Sequence, residues 1–175
     1  GELQRQYFSQ GRYDATIDVK HIAKPRNRVA IEININEGDS AKISGINLIG
    51  VKAFDEAELI KRFQLKKTHL TSFFKSDDKY AREKLIGDLE SLRSYYLDRG
   101  YINFVINSHQ VTLSQNKKNV FIDVSVTEGD KYQFGDTKIL GELPVSEAEL
   151  QKLILFKSGL TYSQQLVTAS SKLIK

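Results

Sequence analysis

The chain of 175 residues has no cysteine, no methionine and no tryptophan. Without cysteine there is no structural disulfide and no thiol chemistry, although that absence suits oxidising and reducing compartments alike. No stretch approaches the roughly 20 apolar residues of a membrane-spanning helix, and no segment reads as a secretory signal. A chain that starts at Gly1 and holds no methionine reads as an excised piece of a longer protein. Signs of chemistry are equally scarce. His21, His69 and His109 are far apart, with no metal-ligand spacing among them. There is no GxSxG nucleophile and no glycine-rich phosphate loop, because the glycines stand singly at strand or helix ends. Asp77 and Asp78 are adjacent carboxylates that could bind a cation, but the expected reading is a solvated loop. These absences favour binding over catalysis: no enzyme, no cofactor and no metal centre is expected.

What is present is a globular balance, 40% apolar and 27% charged, with a formal charge of +4. Lys61, Arg62, Lys66, Lys67 and Lys75 alternate with Asp55, Glu56, Glu58, Asp77 and Asp78. A nucleic-acid footprint needs basic residues gathered on one face, so this mixture reads as a solvated surface.

The organising feature is an internal repeat. At an offset of 91, VAIEININEGD (residues 29–39) lies on VFIDVSVTEGD (120–130), INLIG (46–50) on TKILG (137–141), and FDEAELIKRF (54–63) on VSEAELQKLI (145–154). The stretch YFSQGRYDATIDVKHI (7–22) matches YYLDRGYINFVINSHQ (95–110) at an offset of 88, Tyr13 on Tyr101.

Each repeat reads as β-α-α-β-β, an α+β fold in which two helices cover one face of a three-stranded sheet. A strand ends at Gly50. A helix follows with Asp55 as N-cap and Glu58 three residues on, a capping-box arrangement. A second helix spans about 79–98, with Leu85, Leu89, Leu92 and Tyr96 on one face and Gly100 as its stop. Two strands, 101–113 and 120–128, are joined by the polar turn SQNKKN. The chain therefore divides into the end of one repeat (1–38), a complete repeat (39–129) and the beginning of another (130–175). The EGD joints leave no linker, so the repeats are expected to form a string with limited freedom. The partial repeats have too little sheet to bury their apolar faces alone.

In the last strand, Val120, Ile122, Val124 and Val126 alternate with Phe121, Asp123 and Ser125, as in a central strand with one covered face. The strand before it breaks phase. Tyr101 and Val105 take one face while Ile102, Phe104 and Ile106 take the other. Either these side chains pack on a neighbouring repeat, or a bulge resets the phase at an edge that can add a strand from another chain. The candidate partner-binding residues are Phe104, Val105, Ile106, Asn107, Ser108 and His109. A weaker candidate is the loop 66–79, an insertion relative to the following repeat, with adjacent Phe73 and Phe74; these pack back onto the helices or face a partner.

The segments GDLESLRSYYLDRGY (87–101) and PRNRV (25–29), the EGD joints and the repeat pattern resemble the polypeptide-transport-associated (POTRA) repeats, in the form carried by outer-membrane β-barrel assembly proteins of Gram-negative bacteria. The resemblance covers the whole chain. It implies the second, third and fourth of five periplasmic repeats, ahead of a C-terminal membrane barrel that is absent here. It implies as partners unfolded outer-membrane β-barrel proteins and accessory lipoproteins, with a propeller-shaped lipoprotein docking at the third repeat, whose second strand, here about 104–109, is associated with a bulge and strand addition. It implies no nucleic acid, and membrane contact only through the absent barrel. The rival readings are a passive spacer in a POTRA-bearing secretion or division protein, and a basic nucleic-acid-binding α+β module.

Overall fold

A computed structural model of the chain describes residues 1–68, 78–141 and 146–174. Its elements run α1 (Glu2–Ser9), β1 (Thr16–Lys24), β2 (Arg28–Asn36), β3 (Lys42–Ile49), α2 (Glu56–Ile60), α3 (Arg82–Leu97), β4 (Val105–Leu113), β5 (Asn119–Thr127), α4 (Glu147–Lys152) and α5 (Gln164–Ile174). β1 and β2 pair antiparallel in a two-stranded sheet; β3, β5 and β4 form a three-stranded sheet in that order. The middle repeat is thus the expected β-α-α-β-β unit with its last strand in the centre. β3 runs parallel to β5, because contacts advance together along both: Ser44 Oγ donates to Asn119 Oδ1 (3.0 Å) and Asn47 Nδ2 to Asp123 Oδ1 (2.7 Å).

The core follows the two sequence periods. Val120, Ile122, Val124 and Val126 are buried from β5, and Leu85, Leu89, Leu92 and Tyr96 from α3. Asp55 Oδ1 accepts from Glu58 N (3.0 Å), which makes Asp55 the expected helix cap. Below α2 the chain turns inward, burying Phe63 and Leu65. The freed amides of Gln64 and Leu65 donate to the buried Asp88 carboxylate at 2.6 and 2.9 Å. Burial pushes the Asp88 carboxyl up, against those two hydrogen bonds.

Two expectations are corrected. The strand expected at the start of the last repeat is not formed at 137–141, and Leu140 is 86% exposed. A strand persists by pairing, and among the described residues none flanks this one; only the isolated bridge Gln133↔Thr161 remains. The strand after Gly100 begins at Val105 rather than at Tyr101, because residues 101–104 form a turn in which Phe104 N donates to Tyr101 O (3.1 Å).

The chain divides into two compact units, residues 1–47, 60–88 and 109–123, and residues 48–59, 89–108 and 124–175. Each contains one joint between repeats, and the two joints share one hydrogen-bond design. In the first unit Ala41 N donates to Gly11 O (2.8 Å) and Tyr80 N to Ala41 O (3.1 Å). In the second, Tyr132 N donates to Gly100 O (2.8 Å) and Tyr162 N to Tyr132 O (3.1 Å). Both glycines have positive φ, 75° and 97°, and a Cβ would meet the Tyr80 or Tyr132 carbonyl oxygen at 2.8 or 2.7 Å. No helix among the described residues is long and apolar enough to cross a membrane.

Candidate functional site

The candidate docking strand is β4. Among the described strands it pairs with β5 alone, which leaves its other side an open edge. Its launch is rigid. Tyr96, near the end of α3, is fully buried, and its carbonyl accepts from Arg99 N (3.0 Å) and Tyr101 N (3.1 Å). Its ring stacks on Phe104, centroids 4.1 Å apart, and Phe54 meets Tyr95, Tyr96 and Tyr101 edge-on at 5.1 to 5.6 Å. The Tyr96 hydroxyl donates to Glu128 Oε1 at 2.7 Å. The same carboxylate accepts from Lys52 N (2.9 Å) and Ala53 N (3.0 Å), which ties the loop after β3 to the end of β5. Burial, then the Glu128 carboxylate, push the Tyr96 phenol far above its ordinary range. Burial also works to raise Glu128, but hydrogen bonds from Lys52, Tyr96 and Ala53 outweigh it and hold that carboxyl below its ordinary range.

The candidate residues separate into two groups. Phe104 is buried at 2% exposure, so its side chain packs in the core and anchors the strand. Ile106 is half-buried, whereas Val105, Asn107, Ser108 and His109 are exposed on β4. Asn107 and Thr127 exchange side-chain hydrogen bonds at 2.9 and 3.3 Å. Phe73 and Phe74 lie outside the described residues.

The phase break has a different origin from the one the sequence suggests. Tyr96, Arg99, Tyr101 and Phe104 make the hydrogen bonds that Tyr7, Gln10, Arg12 and Ala15 make in the earlier copy. The offset here is therefore 89, one more than the tyrosine match implies, because GRY and RGY place their glycines differently. Ile106 then corresponds to Ile17, and no phase is broken before β4. A shift does occur further on. Inward residues pass from Phe104 and Ile106 to Val111 and Leu113, across the exposed run Asn107–Gln110, while β5 keeps one phase throughout. An odd step on one strand only is what a β-bulge produces.

Sequence reasoning missed Phe54 and Glu128. The signal for Glu128 was available, since EGD occurs twice, and in the earlier copy Glu37 Oε1 likewise accepts from a tyrosine, Tyr7, at 3.3 Å. Phe54 had none, because its three tyrosine neighbours are distant in sequence.

The family model described as "POTRA: Surface antigen variable number repeat" matches residues 41–129. The chain is 30% identical over 168 residues to the outer membrane protein assembly factor BamA of Neisseria meningitidis serogroup B, covering 95% of this chain and 21% of that protein. It is 36% identical over 137 residues to BamA of Buchnera aphidicola, covering 78% and 22%. The chain thus spans about a fifth of these relatives. The crystal structure of Haemophilus influenzae BamA POTRA3-5 is similar in fold, with a TM-score of 0.61 at 19% identity over 96% of this chain and 63% of that one.

Proposed function

Because the chain belongs to the POTRA family, we propose that it acts as a periplasmic binding scaffold of the machinery that assembles outer-membrane proteins, with the open edge of β4 receiving partner strands. The repeats divide at 38/39 and 129/130. The partners are unfolded outer-membrane β-barrel proteins and the accessory lipoproteins of the assembly complex, a propeller-shaped one at the middle repeat. No catalytic step is involved.

The observation that carries this reading is the edge itself: β4 offers unpaired backbone groups beside Val105 and the exposed run Asn107–Gln110. Main-chain pairing is indifferent to side-chain identity, so one edge serves many clients. Each added hydrogen bond contributes about 1 kcal/mol net, and ordering the client costs part of that. Binding is therefore weak and releasable, as a handover requires. The buried Tyr96–Phe104 stack holds the strand in place when a client leaves.

A second reading, a passive spacer, draws support from the two joints, which repeat one hydrogen-bond design. Hydrogen exchange separates the two. The chain is measured alone and with a purified propeller-type lipoprotein or an unfolded barrel peptide. Selective slowing of the amides from 105 to 110 supports strand addition; amides there that are protected alone and unchanged by either partner leave the spacer.

A further inference from the structure

The first compact unit carries the whole of the chain's net positive charge; in the second, acidic residues outnumber basic ones. Within the first unit the excess comes to a point. Lys42 donates its backbone N–H to Lys118 O (2.8 Å) and forms an antiparallel bridge with Lys79. Three chain segments, the start of β3, the approach to α3 and the turn before β5, thereby bring three lysines to one cavity of about 600 Å³. None of the three ammonium groups has a carboxylate partner among the described residues. Like charges on paired strand positions destabilise a sheet, so the backbone holds these lysines together at a cost.

The fold does not require them. The bridge that corresponds to Lys42↔Lys79 in the second unit is Gln133↔Thr161, which is uncharged. The two asparagines that line the cavity have their amide oxygens engaged elsewhere. Asn116 Oδ1 accepts from Ser114 Oγ (2.6 Å) and Lys118 N (3.1 Å), and Asn119 Oδ1 accepts from Ser44 Oγ (3.0 Å). Each amide oxygen is occupied, leaving its NH₂ to donate. The acid in the lining is Asp39, which is exposed.

We propose that Lys42, Lys79 and Lys118, with the amide groups of Asn116 and Asn119, form a binding site for a phosphate-bearing anion. Lysine suits this ligand as a mobile point charge, and three ammonium-bearing side chains lining one cavity suit a compact polyvalent oxyanion. The site is separate from strand docking and does not depend on it.

The test uses the double variant Lys42→Gln/Lys79→Thr, which installs the neutral pair that the second unit already accommodates. Pyrophosphate is titrated at low salt and followed by NMR amide shifts. The expected result is saturable binding at Lys42, Lys79 and Asn119, weakened about tenfold or more in the variant, whose circular dichroism stays unchanged and whose melting temperature does not fall, the like-charge pair having been removed. Flotation with phosphatidylglycerol vesicles, compared with phosphatidylcholine, distinguishes the source. Flotation lost in the variant assigns a lipid headgroup; no flotation with intact pyrophosphate binding assigns a free phosphate compound. Absence of saturable shifts at the three positions, equal affinity in the folded variant, or tighter binding of an acidic peptide than of pyrophosphate overturns the proposal.

Discussion

β2 and β5 carry the same alternating apolar pattern and lead opposite lives. Val120, Ile122 and Val124 of β5 are 0% exposed; their counterparts Val29, Ile31 and Ile33 of β2 are 62, 62 and 51% exposed. The pairing of β2 is not at fault, since β1 and β2 match through nine consecutive pairs in one register. What differs is the cover. β5 lies between β3 and β4 and its inner face meets α2 and α3 residues of the core, whereas β2 has one strand neighbour. Burial is a property of the completed repeat, and the strand brings only the alternation that makes it usable. The same lesson holds for one carboxylate. Glu128 gathers Tyr96, Lys52 and Ala53 at 2.7 to 3.0 Å, while Glu37 has Tyr7 at 3.3 Å and Arg12 at 3.5 Å.

Matched substitutions test the comparison. Ile122→Ala is expected to cost about 2–5 kcal/mol, and Ile31→Ala no more than about 0.5 kcal/mol, by denaturant unfolding. Equal losses would mean that the β2 face is covered in solution.

The two joints should instead behave alike. Gly11→Ala and Gly100→Ala each force a side chain into positive φ against a carbonyl oxygen, at about 1–3 kcal/mol. A loss at one joint alone would break their equivalence. One side-chain device does separate the joints. Asp98 Oδ1 accepts from Gln165 N (2.7 Å) and Ser163 Oγ (3.3 Å) and so caps α5 from outside. Asp98→Ala should cost about 1 kcal/mol, and Ser9→Ala at the corresponding place, where the hydroxyl only bonds back to Gln6 O, should leave the melting temperature unchanged.

The smallest effect is on acid stability. Glu128 titrates below its ordinary value of 4.5 in the folded chain, so its stabilisation is present above 4.5 and is lost as pH falls through that value towards the folded one. Glu128→Gln should flatten this part of the stability–pH curve. Asp88 is shifted the other way: the stability it contributes is present below the ordinary value of 3.8 and is lost as pH rises through the folded value. Asp88→Asn, assayed in parallel, separates the two.

The repeat order, the cap at Asp55 and the α3 stripe were legible because each rests on neighbours within one turn or one strand. The origin of the phase break was not. Side chains align Tyr13 on Tyr101, yet the backbone hydrogen bonds of Tyr7 and Tyr96 set the register one residue away. Phe104 read as a partner contact because alternation cannot tell which face the helices cover. The lysine cavity was invisible for a related reason: Lys42, Lys79 and Lys118 are distant in sequence, and counting charges along the chain shows only a mixture.

The sequence by itself determined the period of each element, the β-α-α-β-β order and the family, since these depend on local propensity and on repetition. Tertiary structure decided which alternating strand is buried, where β4 begins and which charges meet. Those outcomes depend on partners far along the chain, and a strand's alternating pattern is the same whether or not a helix lies over it.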